Sequence, residues 1–264
     1  LSFIIKMIKG EGVSFNRYRC LFSDNPIITI EYEFIFESKK VEYAIEHNIQ
    51  TNSISENLKI DEITVLKRTG NTGELRIGQS VTIDDQVDSE TLFLRTASFN
   101  TGRFPQEPTL RKLMDFLQNS YIVDEYNWDA RVGSTITRYA EEFGVEKINK
   151  YLTAFKYDFS MEYGSESEGA GLKLTLGADN KMVFLKRKSF PFPNVLINES
   201  QGNQVFADLL PHLIRVIENA GMLIVDEFGN SFHNKLAEKI ISFFMENAKN
   251  SQIFITSHHT NLVS

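Results

Sequence analysis

The sequence predicts an α/β protein, in which an antiparallel β-meander and a mostly helical segment precede a parallel sheet. Three observations support this prediction. Apolar and polar residues alternate within residues 26–97, helical periodicity dominates residues 105–160, and short apolar strands alternate with helices in residues 195–264. The composition is that of an ordered globular protein, since 42% of the 264 residues are hydrophobic and 24% are charged.

The predicted meander is rich in β-branched and aromatic residues. Strand-like alternation occurs in residues 28–36, 41–49, 64–66 and 75–83. Helical spacing then begins behind Pro108, a residue favoured in a first helical turn, and places Leu110, Leu113 and Leu117 on one face. We therefore predict a helical insert at 105–160. Glycines near residue 169 indicate a loop, and residues 172–176 and 182–185 have strand character again.

The last third changes to an alternation of helices and strands. A helical stripe runs from Val205 to Ile217, the apolar strand 222–225 follows, and a second helix around 236–244 leads to the strand 253–255. Fully apolar strands that alternate with helices predict a parallel sheet covered on both faces. Ligands of such sheets bind at the carboxyl ends of the strands.

Charge and cysteine content exclude several classes of protein. With 28 Lys and Arg against 35 Asp and Glu, the net charge is −7, so any contact with nucleic acid must be local. Cys20 is the single cysteine, which excludes an intrachain disulfide and favours a reducing compartment such as the cytoplasm. No apolar run approaches the roughly 20 residues that span a bilayer, so no membrane association is expected.

Two carboxylates and a histidine follow the apolar strands of the predicted parallel sheet. Asp226 and Glu227 come directly after 222–225, and His258 comes shortly after 253–255. Because parallel strands end at the same edge of a sheet, these side chains should lie close together. In phosphoryl transfer, such groups hold Mg²⁺, orient the attacking water and contact the γ-phosphate. The alternative for each residue alone is a solvated strand end or a loop histidine.

The start of the long helix in the last third is a second candidate site. Ser200 and Gly202 lie where this helix begins, and the free N–H groups of a helix N-terminus attract anions. Ser200 also suits simple N-capping, and the two roles are compatible.

Three motifs occur in a fixed order: the segment 198–202, the segment 222–233 and the segment 252–262. Together they resemble the signature, Walker B and switch motifs of ABC-type P-loop ATPases of the SMC, RecF and OLD kind, and in particular the AAA-type ATP-binding proteins of prokaryotic defence systems. The resemblance assigns Ser200 and Gly202 to the signature motif, Asp226 and Glu227 to Walker B, Asn230 and Ser231 to the D-loop, and His258 to the switch.

The resemblance implies an ABC-ATPase-like head that uses ATP and Mg²⁺. Asp226 would hold the metal, Glu227 would polarise water and His258 would stabilise the transferring phosphoryl group. His259 stands where Asp is common in the family, so either histidine could act. Two heads would dimerise through ATP, with Ser200 and Gly202 of one touching the γ-phosphate held by the other.

No phosphate loop of the form G-x-x-x-x-G-K-[ST] occurs in the sequence. In the resembled family this loop precedes a helix that leads into the meander, and Leu1, Ile4, Ile5 and Ile8 recur at helical spacing. We therefore expect the loop upstream of residue 1 and a truncation at both ends, with little ATP binding by residues 1–264 alone.

The implied function is ATP binding and hydrolysis as a switch for an effector, nuclease or toxin-like, in anti-phage or toxin-like defence. Two alternatives stay open. The chain could be the head of an OLD-type nuclease with a Toprim domain beyond residue 264, or an interaction module that holds nucleotide without hydrolysing it. Nucleic acid is a possible further partner.

Overall fold

A computed structural model describes residues 1–19, 24–100, 102, 104–123, 133–169, 171–177, 180–189, 192–229 and 234–258. The chain forms two compact units, Leu1–Gln118 and Asn119–Ser264. Among the described helices, none combines the length and the apolar character that crossing a membrane requires.

The first unit is built on a six-stranded antiparallel meander in which neighbours in sequence are neighbours in the sheet. The strands are β1 Ile27–Phe36, β2 Lys39–Asn48, β3 Ser53–Ile60, β4 Ile63–Thr69, β5 Thr72–Ile77 and β6 Ser80–Asp84. The helices are α1 Ser2–Lys9, α2 Phe93–Asn100 and α3 Pro108–Gln118, with 3-10 turns at Phe15–Tyr18 and Phe104–Gln106. The predicted meander is therefore confirmed, although the strands end at Asp84 and the last predicted residues form α2.

One face of this sheet is buried, and the other is more exposed. In β3, every second residue from Ile54 to Ile60 is buried, as a half-buried antiparallel strand requires. Positive φ angles at Glu37 and Ser38 give a tight two-residue hairpin between β1 and β2.

A buried ion pair lies under this sheet. The side chains of Glu56 and Arg68 are both fully buried and 3.2 Å apart. Glu56 also accepts hydrogen bonds from the Tyr43 hydroxyl at 2.6 Å and from the backbone N–H groups of Phe93 and Leu94 at 2.6 and 3.2 Å. One carboxylate thus joins the sheet to the first turn of α2.

The second unit contains the parallel sheet. Its strands are β7 Tyr121–Val123, β13 Met222–Val225 and β14 Gln252–Ile255, in the order β14-β13-β7. An antiparallel sheet of β8 Phe159–Gly164, β11 Met182–Arg187 and β12 Asn194–Val195 and a hairpin of β9 Glu166–Gly169 and β10 Leu172–Thr175 accompany it. The helices are α4 Ser134–Phe143, α5 Glu146–Ala154, α6 Gln201–Asn219 and α7 Asn234–Asn247.

Two expectations about this unit need correction. The range 105–160 is not one helical body, because α3 belongs to the first unit and strand β7 separates it from α4 and α5. Three residues are too short to show strand alternation, which hid β7 from the sequence pattern. Among the described residues, the predicted cover of the parallel sheet is also incomplete at β14, where Phe254 is 58% exposed. β14 is an edge strand of the three-stranded sheet, which explains the difference.

The central strand β13 is fixed at its start by close backbone contacts. The backbone N–H of Met222 donates to the Ser120 hydroxyl at 2.9 Å. A Cβ on the preceding Gly221 would lie 2.0 Å from the carbonyl oxygen of Asn119, so no larger residue fits there without displacement of the backbone.

Helices α4 and α6 are joined by Asp208, whose carboxylate accepts the backbone N–H groups of Gly133 at 2.9 Å and of Ile136 at 3.4 Å. Burial raises the pKa of Asp208, and the hydrogen bonds from the α4 backbone oppose that rise. The first turn of α4 is thus capped from the middle of α6.

Candidate functional site

The two acids and the histidine lie at the carboxyl edge of the parallel sheet, as the sequence predicts. Asp226 and Glu227 follow β13, and the chain after β14 begins with Thr256. Backbone hydrogen bonds continue the pairing of the strands past their ends. The N–H of Asp226 donates to the carbonyl of Val123 at 3.0 Å, and the N–H of Thr256 donates to the carbonyl of Val225 at 3.1 Å. Acidic groups from one strand therefore lie beside the polar groups of the next.

Thr256 links these groups. Its hydroxyl donates to Oδ1 of Asp226 and accepts the backbone N–H of Glu227 at 3.0 Å. Its carbonyl accepts the N–H of Phe228 at 2.8 Å. One residue thus orients the carboxylate of Asp226 and also fixes the backbone of Glu227.

Glu227 has an unusual backbone conformation. Its φ is 57°, in the left-handed region that residues other than glycine seldom adopt. Such a conformation costs on the order of 1 kcal/mol or more, and it occurs at turns and at functional sites. Here it accompanies a contact of 3.3 Å between Oε1 of Glu227 and Nε2 of His258.

The Glu227–His258 pair is open to a ligand. The histidine side chain is 81% exposed and that of Glu227 is 32% exposed. A carboxylate in contact with an exposed imidazole can accept a proton from water, while the ring offers a hydrogen bond to an anion.

Ser200 and Gly202 occupy the N-terminus of α6. Ser200 is the N-cap, and its hydroxyl accepts the N–H of Asn203 at 3.4 Å. The predicted capping is therefore present, and the residue is exposed. Helix α6 has 19 residues, and the positive end of its dipole lies at Ser200. This end therefore favours an anion.

Glu199 holds the segment before this helix. Its side chain is 6% exposed and pairs with Arg187 of β11 at 2.5 Å, and it accepts hydrogen bonds from Asn203 at 2.8 Å and Asn194 at 3.1 Å. Burial alone would raise the pKa of Glu199, but the bonds from Asn203 and Arg187 outweigh it and lower the pKa. An ionised Glu199 thus fixes the backbone that leads into Ser200.

The structure brings Asp226, Glu227 and His258 together, whereas the hydrogen bond of Ser200 stays within its own helix. Asn230, Ser231 and His259 lie outside the described residues. Thr256 was not predicted as a site residue, although it directly follows an apolar strand, as Asp226 does.

The residues at this edge fit a magnesium ion. Mg²⁺ in nucleotide sites keeps several waters and takes one or two carboxylates together with substrate phosphates. Asp226 supplies one exposed carboxylate that Thr256 orients. Within the described residues, no three acidic, histidine or cysteine side chains converge as a preformed metal cage.

A family model matches nearly the whole chain. Residues 5–264 match the family model described as "AAA domain, putative AbiEii toxin, Type IV TA system". No curated protein matches the sequence significantly.

Among solved structures, the chain is similar to an SMC head domain from Thermotoga maritima, with 13% identity and a TM-score of 0.39 over 90% of this chain and 66% of that one. It is also similar to an SMC head bound to the C-winged helix domain of ScpA, with 10% identity and a TM-score of 0.36 over 85% of this chain and 68% of that one. The chain thus spans about two thirds of the length of these structures.

Proposed function

Because the chain belongs to this family of AAA domains, which are P-loop ATPases of the SMC and ABC-like class, we propose that it acts as an ATP-hydrolysing head in the cytoplasm. Membership of the family implies nucleotide binding, usually with Mg²⁺.

The observation that carries the proposal is the cluster at the ends of β13 and β14. Asp226, Thr256, Glu227 and His258 form a continuous chain of hydrogen bonds and contacts at the one edge where parallel sheets bind ligands. A solvated strand end would need neither the left-handed Glu227 nor the threonine bridge.

Each residue then has a defined task. Asp226 would hold Mg²⁺, which when bound neutralises charge on the phosphates of ATP. Glu227 orients the attacking water and takes its proton on a carboxylate oxygen. His258 would donate a hydrogen bond from its ring to the γ-phosphate, and its contact of 3.3 Å with Glu227 would hold the two side chains beside each other.

The N-terminus of α6 completes the site in a second copy of the chain. Ser200 and Gly202 would approach the γ-phosphate bound by the partner, where the helix dipole and free N–H groups favour a negative charge. Hydrolysis removes that charge and releases the dimer, so ATP acts as a switch for a nuclease or toxin-like effector in anti-phage or toxin-like defence. Asn230 and Ser231 would line the same interface.

Replacement of Glu227 by Gln tests the proposal. The amide keeps the size of the side chain but cannot take the proton of water, so turnover of ATP should fall by about 10²- to 10⁴-fold. ATP should still bind, and the dimer should accumulate in size-exclusion chromatography. The assay uses the full-length protein, and Glu141→Gln on the exposed side of α4 is the control.

Unchanged turnover in Glu227→Gln would refute the assigned role. Binding of ATP without turnover in either protein would refute hydrolysis and favour a nucleotide-holding interaction module.

A further inference from the structure

Strand β6 lies at one edge of the six-stranded meander, where it pairs with β5. Beyond that pairing, the described residues make no hydrogen bond to the backbone of β6. An edge strand of this kind offers a row of N–H and C=O groups to another chain. With five residues, β6 has a typical strand length, so this row is long enough to pair.

The register of the β5–β6 hairpin indicates which backbone groups face outward. Ile77 pairs with Ser80 across a two-residue turn, so the backbone of Ser80 faces β5. Successive residues of an antiparallel strand direct their backbone groups to opposite sides. The backbone of Thr82 therefore also faces β5, whereas the N–H and C=O groups of Val81 and Ile83 lie at the outer edge.

The residues of β6 lack the features that usually block an edge strand. Lysine, proline and bulges are common protections, but the strand reads Ser-Val-Thr-Ile-Asp and its register with β5 is continuous. The side chains of Val81 and Ile83 share one face of the sheet and are 44% and 62% exposed. Outward backbone groups and exposed apolar side chains thus occur at the same two residues.

The strand is complementary to a second copy of itself. In an antiparallel pair with Thr82 opposite the partner's Thr82, Val81 lies opposite the partner's Ile83 and Ser80 lies opposite the partner's Asp84. Each pair of Val81 with the partner's Ile83 can then exchange both of its backbone hydrogen bonds. β-Branched side chains opposite each other stabilise a sheet, and a serine hydroxyl can donate to a carboxylate.

The opposite edge of the sheet is less suited to pairing with itself. Strand β1 carries Glu31 and Glu33 on its exposed face, near the middle of the strand. Antiparallel pairing of two β1 strands about their centre would bring these carboxylates close to those of the second copy. Like charges directly opposite each other destabilise a sheet. Charge therefore disfavours self-pairing of β1 and leaves β6 as the edge that suits a second copy.

We propose that two copies of the chain pair through their β6 strands, antiparallel about a two-fold axis at Thr82, so that two meanders form one continuous sheet. A pairing of five residues is small beside the roughly 1,200–2,000 Å² that stable interfaces bury, so the dimer should be weak and depend on concentration. Two-fold pairing uses the same edge of both copies, so association without ATP stops at the dimer. The inference does not depend on ATP hydrolysis.

Sedimentation velocity of the full-length protein without nucleotide, over about 5 to 500 μM, tests the proposal. The wild type should shift from monomer towards dimer as its concentration rises. Ile83→Lys places a charge in the apolar pair and should weaken association by about tenfold or more. Glu74 lies opposite Ile83 in β5, so the new lysine has a carboxylate beside it within its own hairpin. Ile35→Lys, at a 70% exposed isoleucine of β1, is the matched control and should leave association unchanged.

Cysteine cross-linking tests the register of the pair. Thr82→Cys places the thiols of the two copies opposite each other, with Cα atoms about 4.5 Å apart and within disulfide range. The oxidised variant should therefore run as a dimer on a non-reducing gel. Ser80→Cys is the matched control, because Ser80 is more exposed than Thr82 but would lie roughly 14 Å from the partner's Ser80. This variant should stay monomeric.

Three results would overturn the proposal. The wild type could stay monomeric at about 500 μM, Ile35→Lys could weaken association as much as Ile83→Lys, or Ser80→Cys could cross-link as readily as Thr82→Cys. Assemblies that grow beyond the dimer would also overturn it, in favour of head-to-tail pairing of β6 with β1.

Discussion

Replacement of Glu56 by Gln should be among the most damaging single changes in the first unit. The carboxylate of Glu56 accepts four hydrogen bonds, from Tyr43, Arg68, Phe93 and Leu94, and both members of its ion pair are fully buried. Glutamine keeps the shape but leaves the guanidinium of Arg68 buried without a counter-charge. Removal of one partner of a buried pair costs about 3–5 kcal/mol, so the free energy of unfolding should fall by about that amount.

Urea denaturation followed by circular dichroism measures this loss, with faster hydrogen exchange at the amides of Phe93 and Leu94 as a local signal. The matched control is Glu74→Gln in the same sheet, where the pair with Arg76 at 2.9 Å has side chains 38% and 55% exposed and is worth less than about 1 kcal/mol. A loss below about 1 kcal/mol for Glu56→Gln, or equal losses for the two variants, would refute the reasoning. The double variant Glu56→Leu with Arg68→Met should cost less than the sum of the single changes.

Three further predictions concern the second unit. Thr256→Val should lower Mg²⁺-dependent ATP turnover by about 10- to 100-fold, whereas Thr256→Ser should retain it. Steady-state assays over a magnesium titration measure this difference. Equal activity of the two variants would contradict the bridging role of the Thr256 hydroxyl. Gly221→Ala should lower the melting temperature, because its methyl group meets the carbonyl of Asn119 at 2.0 Å, whereas Gly177→Ala has room and should melt like the wild type. The pKa of Glu199 in the folded state lies below its ordinary value of 4.5, so the ionised carboxylate stabilises the fold above pH 4.5, and this stabilisation is lost as the pH falls through the folded-state pKa. The difference in unfolding free energy between the wild type and Glu199→Gln should therefore shrink on acidification below pH 4.5. A difference that stays constant with pH would contradict this prediction.

The family match confirms the AAA class that the motif order predicts, and the described helices and sheets confirm the α/β fold class. Strand β13 and helix α6 were predictable because their apolar patterns are long or unbroken. β7 was not, because three residues between two helices have no readable period. The buried Glu56–Arg68 pair also escaped prediction, since polar residues in an alternating strand are expected to face water.

The side chains of the candidate site were predictable from the sequence, but the hydrogen bonds and the backbone conformation that connect them were not. Asp226, Glu227 and His258 follow apolar strands, and the rule that parallel strands share an edge brings them together. The bridge through Thr256 and the left-handed φ of Glu227 depend on the register between β13 and β14, which the sequence does not state. Arg187 reaches Glu199 from β11, a long-range pairing that no local pattern indicates.

The carboxylate of Asp208 has a mechanical consequence. Because it joins the first turn of α4 to the middle of α6, a shift of α6 relative to the start of α4 would break these hydrogen bonds. Ser200 lies at the N-terminus of α6, and Gly133 precedes α4. Movement at the Ser200 end of α6 is therefore coupled to the start of α4 through one buried carboxylate.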